Sequence, residues 1–345
     1  MLLTLLKGIK QRGGKRALFE ELGLLGNTVI LIASLLVLDR TSNLTITNSV
    51  RIADITGFGR TATGFILVAF CTSLPALSVS IFSVVGLETI DVAIGNALGS
   101  NIVHICLILG ICLLLAALKR LDYVKLIPSM TKEEIGSLYF GLFIASIIPL
   151  TLIYIGYASR FIGIVLLAIF AVYTIWLSKK RMVKRESALG KEHQKLNQYM
   201  LLTLLGAVGV VISSFFIINS ASNIASSTGI SAIIIGSTVV AFGTSLPVLV
   251  VSIGAVRKEH LDLALGNIIG TCFMNTTCIL GIPLLASSLR VEMVPTFSNL
   301  VMFSVITSLF LWYFLSSERI SWREGAVLVF MYFLFLTTSF GGYKS

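Results

Sequence analysis

Long apolar runs separated by short charged clusters fill this chain. A transmembrane helix needs about 20 predominantly apolar residues. Read between the charges, the pattern predicts ten such helices, near 22–38, 58–84, 91–117, 136–157, 160–178, 199–219, 229–256, 262–288, 297–316 and 322–340. The one long polar interruption, 179–198, carries seven Lys or Arg and separates two sets of five helices. The expected organisation is a basic segment 1–21, a first five-helix repeat 22–178, a basic loop 179–198 and a second five-helix repeat 199–345. The fold class is an all-α polytopic membrane protein.

Composition narrows the function classes. Of 345 residues 56% are hydrophobic and 12% charged, with a mean hydropathy of +0.96, where soluble domains carry about 25% charged residues. Soluble enzymes, DNA-binding domains and disordered linkers are excluded. The excess of 26 Lys and Arg over 16 Asp and Glu reads as basic cytoplasmic loops beside a lipid bilayer, with no nucleic-acid partner. Most of these charges share one side of the expected topology, which places the central loop in the cytoplasm and both termini outside, in the plasma membrane. Lys7, Lys10, Arg12, Lys15 and Arg16 pull the N-terminal tail the other way. The five Cys all fall in apolar stretches and read as small buried side chains.

The chain repeats itself. Residues 57–75 (GFGRTATGFILVAFCTSLP) align without gaps on 229–247 (GISAIIIGSTVVAFGTSLP), with nine of 19 positions identical. Residues 91–111 (DVAIGNALGSNIVHICLILGI) align on 262–282 (DLALGNIIGTCFMNTTCILGI), with nine of 21 identical. The repeated helix pairs, 57–111 and 229–282, are an odd number of spans apart, so they insert with opposite orientation. Inverted repeats point to a secondary transporter with its site at the repeat interface, near the bilayer midplane.

In each repeat a run of small and hydroxyl residues ends in proline, 69–75 (AFCTSLP) and 241–247 (AFGTSLP). Proline within a helix removes a backbone hydrogen bond and displaces the carbonyl four residues back, here Cys71 and Gly243. Such breaks suit a dehydrated cation, with Ala69 and Ala241 supplying carbonyls and Thr72, Ser73, Thr244 and Ser245 supplying metal-contacting hydroxyls. The partner helices add Asn96, Ser100, Asn101 and His104, and Asn267, Thr271, Cys272 and Asn275. Gly95, Gly99, Gly266 and Gly270 have GxxxG spacing, which favours close helix packing. Arg60 reads as a residue that snorkels to the headgroups. Ala69, Thr72, Ser73, Ser100, Asn101, His104, Ala241, Thr244, Ser245, Thr271 and Asn275 are the candidate ion-binding and transport residues.

The paired blocks carry GTSLP (intact at 243–247, CTSLP at 71–75) and GNxxGSN (intact at 95–101, altered at its last two positions in 266–272). They resemble the two alpha-repeats of the cation/calcium exchanger superfamily, over essentially the whole chain. The resemblance implies ten spans, inverted repeats and ion antiport. It also implies a glutamate after each proline, the pair that holds a divalent ion. Here those positions are Ala76 and Val248, and a further family position, Asn or Asp, is His104 and Asn275.

Calcium takes six to eight oxygen ligands, usually with carboxylates among them. One carboxylate beside it contributes on the order of 14 kcal/mol of gross Coulomb energy at an effective dielectric of about 20. The expected function is therefore a secondary active cation antiporter working by alternating access, with a carboxylate-free site that favours a monovalent cation such as sodium. His104 is available to couple protons. Calcium exchange through unusual ligation and a non-transporting membrane regulator stand as alternatives. With three His and no carboxylate at the expected midplane, the residues assemble no acid/base pair, so an enzyme is not expected, and no cofactor is implied.

Overall fold

The structure is a computed structural model that describes residues 19, 22–56, 72–86, 90–118, 132–155, 157–180, 196–257, 261–286, 289–290, 295–316 and 321–341. Its helices are α1 (Gly23–Thr56), α2 (Leu74–Gly86), α3 (Ile90–Leu118), α4 (Lys132–Ile155), α5 (Arg160–Lys180), α6 (Leu196–Thr228), α7 (Ala232–Thr244), α8 (Leu246–Arg257), α9 (261–286), α10 (Pro295–Ser316) and α11 (Trp322–Gly341). Among the described residues the strands are one two-residue antiparallel pairing, β1 (Tyr157–Ala158) with β2 (Leu289–Arg290), which the all-α expectation did not contain.

Among the described residues six helices are long and apolar enough to cross a bilayer, and α7 with α8, bent by 44° at their junction, make a seventh if the pair is counted as one span. The expected count was ten. The apolar parts of α2, α4 and α5 are shorter, at 74–84, 139–152 and 160–175. The sequence before α2, 57–71, lies outside the described residues, as does most of the central loop, 181–195. The ends expected in that loop are helical: α5 runs through Lys180 and α6 starts at Leu196.

Two helices far outrun their expected lengths. Helix α1 has 34 residues and α6 has 33, each about 50 Å at 1.5 Å per residue, against a hydrocarbon core of about 30 Å. The polar stretch after Leu38 was expected to be a loop. It stays helical because its side chains bond within the helix and across to α6. Asn43 Nδ2 donates to Asp39 Oδ1 (3.2 Å) and Asn48 Nδ2 to the Leu44 carbonyl (2.7 Å). Across the interface Arg51 donates to Tyr199 Oη (3.3 Å), with its guanidinium 5.3 Å from the ring centroid. The two helices run antiparallel, since Arg51 meets Tyr199 where Thr41 meets Gly209. Gly229, at φ +70°, lies just beyond the end of α6, a left-handed position that glycine takes without steric cost.

The core belongs to α3 and α9, whose side chains are buried along most of their length, while α1 and α6 expose long apolar faces. Helices α3 and α7 touch backbone to backbone. A Cβ on Gly95 would meet the Ile233 carbonyl, one on Gly99 the Ser237 backbone, and one on Gly236 the Val92 carbonyl. The packing role expected of Gly95 and Gly99 is what the structure shows, and it carries the polar face of α3 up to the break between α7 and α8, whereas Gly266, expected to pack in the same way, has open space around it. Helix α11 closes over α3, and α4 and α5 pack on α9.

Gly99→Val should therefore destabilise the protein by roughly 1–3 kcal/mol through overpacking. Gly136→Ala, on an open surface of α4, should be neutral or slightly stabilising. Thermal unfolding midpoints in detergent check both.

Candidate functional site

New helices start in the same way at equivalent places in both repeats. Leu77 N donates to the Ser73 carbonyl (2.9 Å) and Leu249 N to the Ser245 carbonyl (3.1 Å), so each serine starts a new helix. Pro75 and Pro247 are then the second residues of α2 and α8. In the first turn a proline costs nothing, because an N–H there has no intrahelical partner. The expectation of prolines inside continuous helices is corrected accordingly: the bend comes before the proline, at Thr244 and Ser245. The Ala241 carbonyl, expected to face an ion, already accepts from Ser245 N (3.1 Å) and lies 3.3 Å from Thr244 Oγ1. Ala69 and Cys71, with Arg60, lie outside the described residues.

The remaining candidates, Thr72, Ser73, Ser100, Asn101, His104, Thr244, Ser245, Thr271 and Asn275, are all buried. They meet where the polar face of α3 (Asn96, Ser100, His104, at four-residue spacing) opposes that of α9 (Asn267, Thr271, Asn275). Each threonine of a break bonds to the asparagine of the other repeat. Thr244 Oγ1 donates to Asn96 Oδ1 (2.8 Å) and Thr72 Oγ1 to Asn267 Oδ1 (3.3 Å). The two bonds are equivalent under the sequence repeat and cross between its halves.

Below them the two helices are joined directly. Asn275 Nδ2 donates to Asn101 Oδ1 (3.1 Å), and Asn101 Nδ2 to Thr276 Oγ1 (2.9 Å). His104 Nδ1 lies 3.2 Å from Thr271 Oγ1, so its ring partner is neither Asn101 nor Asn275. Both α3 and α9 widen here into π-helical turns, Val103–Leu109 and Asn275–Ile279, with a third at Gly236–Val240 in α7. Such turns are found most often at functional sites. Ser252 and Thr276 belong to this network, yet are not among the candidates. The polar run Asn275-Thr276-Thr277 inside an apolar helix was the signal for Thr276, and the equivalence of Ser252 to Ser80 was the signal for the serine.

Six buried polar atoms in this region have no hydrogen-bond partner among the described residues: Ser73 Oγ, Ser100 Oγ, Ser245 Oγ, Asn275 Oδ1, Asn96 Nδ2 and His104 Nε2. Each such group costs about 1–3 kcal/mol when left unsatisfied, and four of the six are oxygens able to accept or to ligate. Ala76 and Val248, the residues after the prolines, are buried beside them. No Asp, Glu, Lys or Arg is buried among the described residues. At the break the negative C-terminal dipole end of α7 and the positive N-terminal end of α8 lie next to each other.

Residues 26–179 and 198–341 match the family described as sodium/calcium exchanger protein. The inner membrane protein YrbG of Escherichia coli is 30% identical over 262 residues, covering 72% of this chain and 77% of its own. The sodium/calcium exchanger MaX1 of Methanosarcina acetivorans is 30% identical over 356 residues, covering 91% of this chain and 98% of its own. Among solved structures, the sodium-calcium exchanger NCX_Mj soaked in 10 mM Na+ superposes with a TM-score of 0.65 at 26% identity, covering 90% of this chain and 98% of that one.

The crossed bonds define a thermodynamic test. Thr244→Val and Asn96→Leu should show a coupling of about 0.5–3 kcal/mol in a double-mutant cycle, whereas Thr72→Val and Asn96→Leu should add. Denaturant unfolding in detergent measures both cycles.

Proposed function

The chain belongs to the sodium/calcium exchanger protein family, and from that premise we propose that it exchanges a monovalent cation, sodium foremost, for protons carried on His104. At the coarser level it is an integral membrane cation antiporter and not an enzyme. In the proposed cycle the two repeats are inverted five-helix units, and the long helices α1 and α6 move against the bundle of α2, α3 and α7–α9 to expose the site to either side. The protein sits in the plasma membrane with the basic central loop in the cytoplasm.

The observation that carries this reading is a buried polar site with unpartnered oxygens and no carboxylate. The hydroxyls of Thr72, Ser73, Thr244 and Ser245 would be the ion's side-chain ligands. Thr72 and Thr244 spend their protons on Asn267 and Asn96, and a hydroxyl that donates its proton still has acceptor lone pairs for a cation. Four neutral hydroxyls suit one positive charge. For two positive charges the desolvation penalty rises steeply and no anionic partner stands at Ala76 or Val248.

A second reading, calcium as the exchanged ion, is favoured by the relatives, since MaX1 is named a sodium/calcium exchanger. It requires ligation other than the carboxylate pair.

In proteoliposomes, sodium uptake driven by an outward proton gradient should be lost in Thr72→Val and in Thr244→Val. Full flux in both removes the proposed ligands. His104→Gln should abolish the response to the proton gradient. Calcium-driven exchange by the wild-type protein would replace the leading reading with the second. Ala76→Glu combined with Val248→Glu should create calcium flux where the parent has little, by returning two anionic ligands to a scaffold that cycles.

A further inference from the structure

Hydrogen counting at His104 goes one step beyond this reading, on which it rests. A threonine hydroxyl has one proton. Thr271 Oγ1 lies 2.9 Å from the Asn267 carbonyl and 2.8 Å from the Ile268 carbonyl, and carbonyl oxygens only accept, so the Thr271 proton points back along its own helix. The 3.2 Å contact with His104 Nδ1 must then be donated by the ring. The neutral imidazole therefore carries its proton on Nδ1, a tautomer assigned from its partners. Nε2 is left with a bare lone pair, buried and without a hydrogen-bond partner among the described residues. Thr271 then donates along its own helix and accepts from His104, which leaves its hydroxyl one acceptor lone pair.

We infer that Thr271 is a positioning residue: it accepts the Nδ1 proton of His104 and so holds the ring in the one tautomer that offers Nε2 as the proton-accepting atom of the exchanger. Which nitrogen of a histidine is basic is set by the hydrogen bond made by the other one. The equivalent position in the first repeat is Ser100, whose hydroxyl has no partner, and the residue equivalent to His104 is Asn275. The proton acceptor is thus built on one repeat only, and the tautomer lock on the other.

The π-helical turn of α3 packs against α8, α9, α10 and α11. The buried titratable side chains on α3 and these helices are Cys106, Cys112, Cys272, Cys278 and Tyr332, all neutral at physiological pH by their ordinary values. Asp91, Arg257, Asp262, Arg323 and Glu324 lie in terminal turns. No carboxylate therefore competes with Nε2 for the proton from the interior of these helices.

Protein carrying His193→Gln and His260→Gln, with 15N-labelled histidine, isolates the His104 signals. Above the titration of the ring, Nδ1 should resonate as a protonated nitrogen and Nε2 as a bare one. A protonated Nε2 overturns the inference with no change at Thr271. Thr271→Val should mix the tautomers and lower proton-driven sodium flux at least about ten-fold, and Thr271→Ser, which keeps the acceptor, should restore both. Unchanged flux and tautomer in Thr271→Val overturn the positioning role. If proton-driven flux survives His104→Gln, the underlying proton-coupling reading falls instead. The two failures are told apart by which single variant retains the response.

Discussion

A hydroxyl or amide buried in a bilayer has no water to bond, so it must find a partner inside the protein or be held ready for a ligand. In this chain the partners of the helix breaks come from the opposite repeat. Thr244 reaches Asn96 and Thr72 reaches Asn267, and neither half satisfies its own threonine in this way. The two halves are bound at their centre by polar contacts that each half would leave open alone. Much of the rest follows from bringing these groups together: the glycine contacts between α3 and α7, the 44° bend between α7 and α8, and the π-helical turns that rotate successive side chains into the same seam.

The molecule accordingly divides into parts with different physics. Helices α3 and α9 are held on all sides by backbone approach, hydrogen bonds and close-packed aliphatic side chains. Helices α1 and α6 pair with each other along much of their length and form part of a separate apolar cluster with neighbouring segments of α2, α3 and α7. Their clasp at Arg51 and Tyr199 lies at one end of the pair, far along both helices from that cluster. Contacts made within such a pair are kept if it moves as a unit. The proposed alternating access needs that property of the elements outside the site.

How much of this could be read from the residues depends on the kind of information involved. The repeat, the presence of breaks near Pro75 and Pro247, and the buried candidates were legible because identical motifs recur 171 or 172 positions apart. The lengths of α1 and α6 were not. Asp39, Arg40, Asn43 and Arg51 look like a loop to any hydropathy reading, and their helix depends on a partner 148 residues away. The position of the prolines was misread for a related reason: sequence shows that a helix breaks near a proline but not on which side. The contact of His104 with Thr271 was not legible either, because nothing in the side-chain pattern announces the π-helical turn in which His104 sits.

The absence of carboxylates at Ala76 and Val248 gives the proposed exchange its logic. A site made of neutral hydroxyls and amides holds one monovalent cation at a net charge of +1. The same site with its hydroxyls empty and His104 protonated on Nε2 also has a net charge of +1. Two positive charges in one low-dielectric cavity repel strongly, so the sodium-loaded and proton-loaded forms exclude each other. Each form carries the same charge through the membrane-buried step, so neither is trapped by the cost of moving an extra charge. In exchangers of this fold that bind divalent ions, carboxylates would provide the balancing charge. In the proposed exchange a single imidazole and a single cation, taking turns, would provide an equal one. A site with Ala76 and Val248 after its prolines is thus compatible with the proposed coupling of two ions, provided that one of them is a proton.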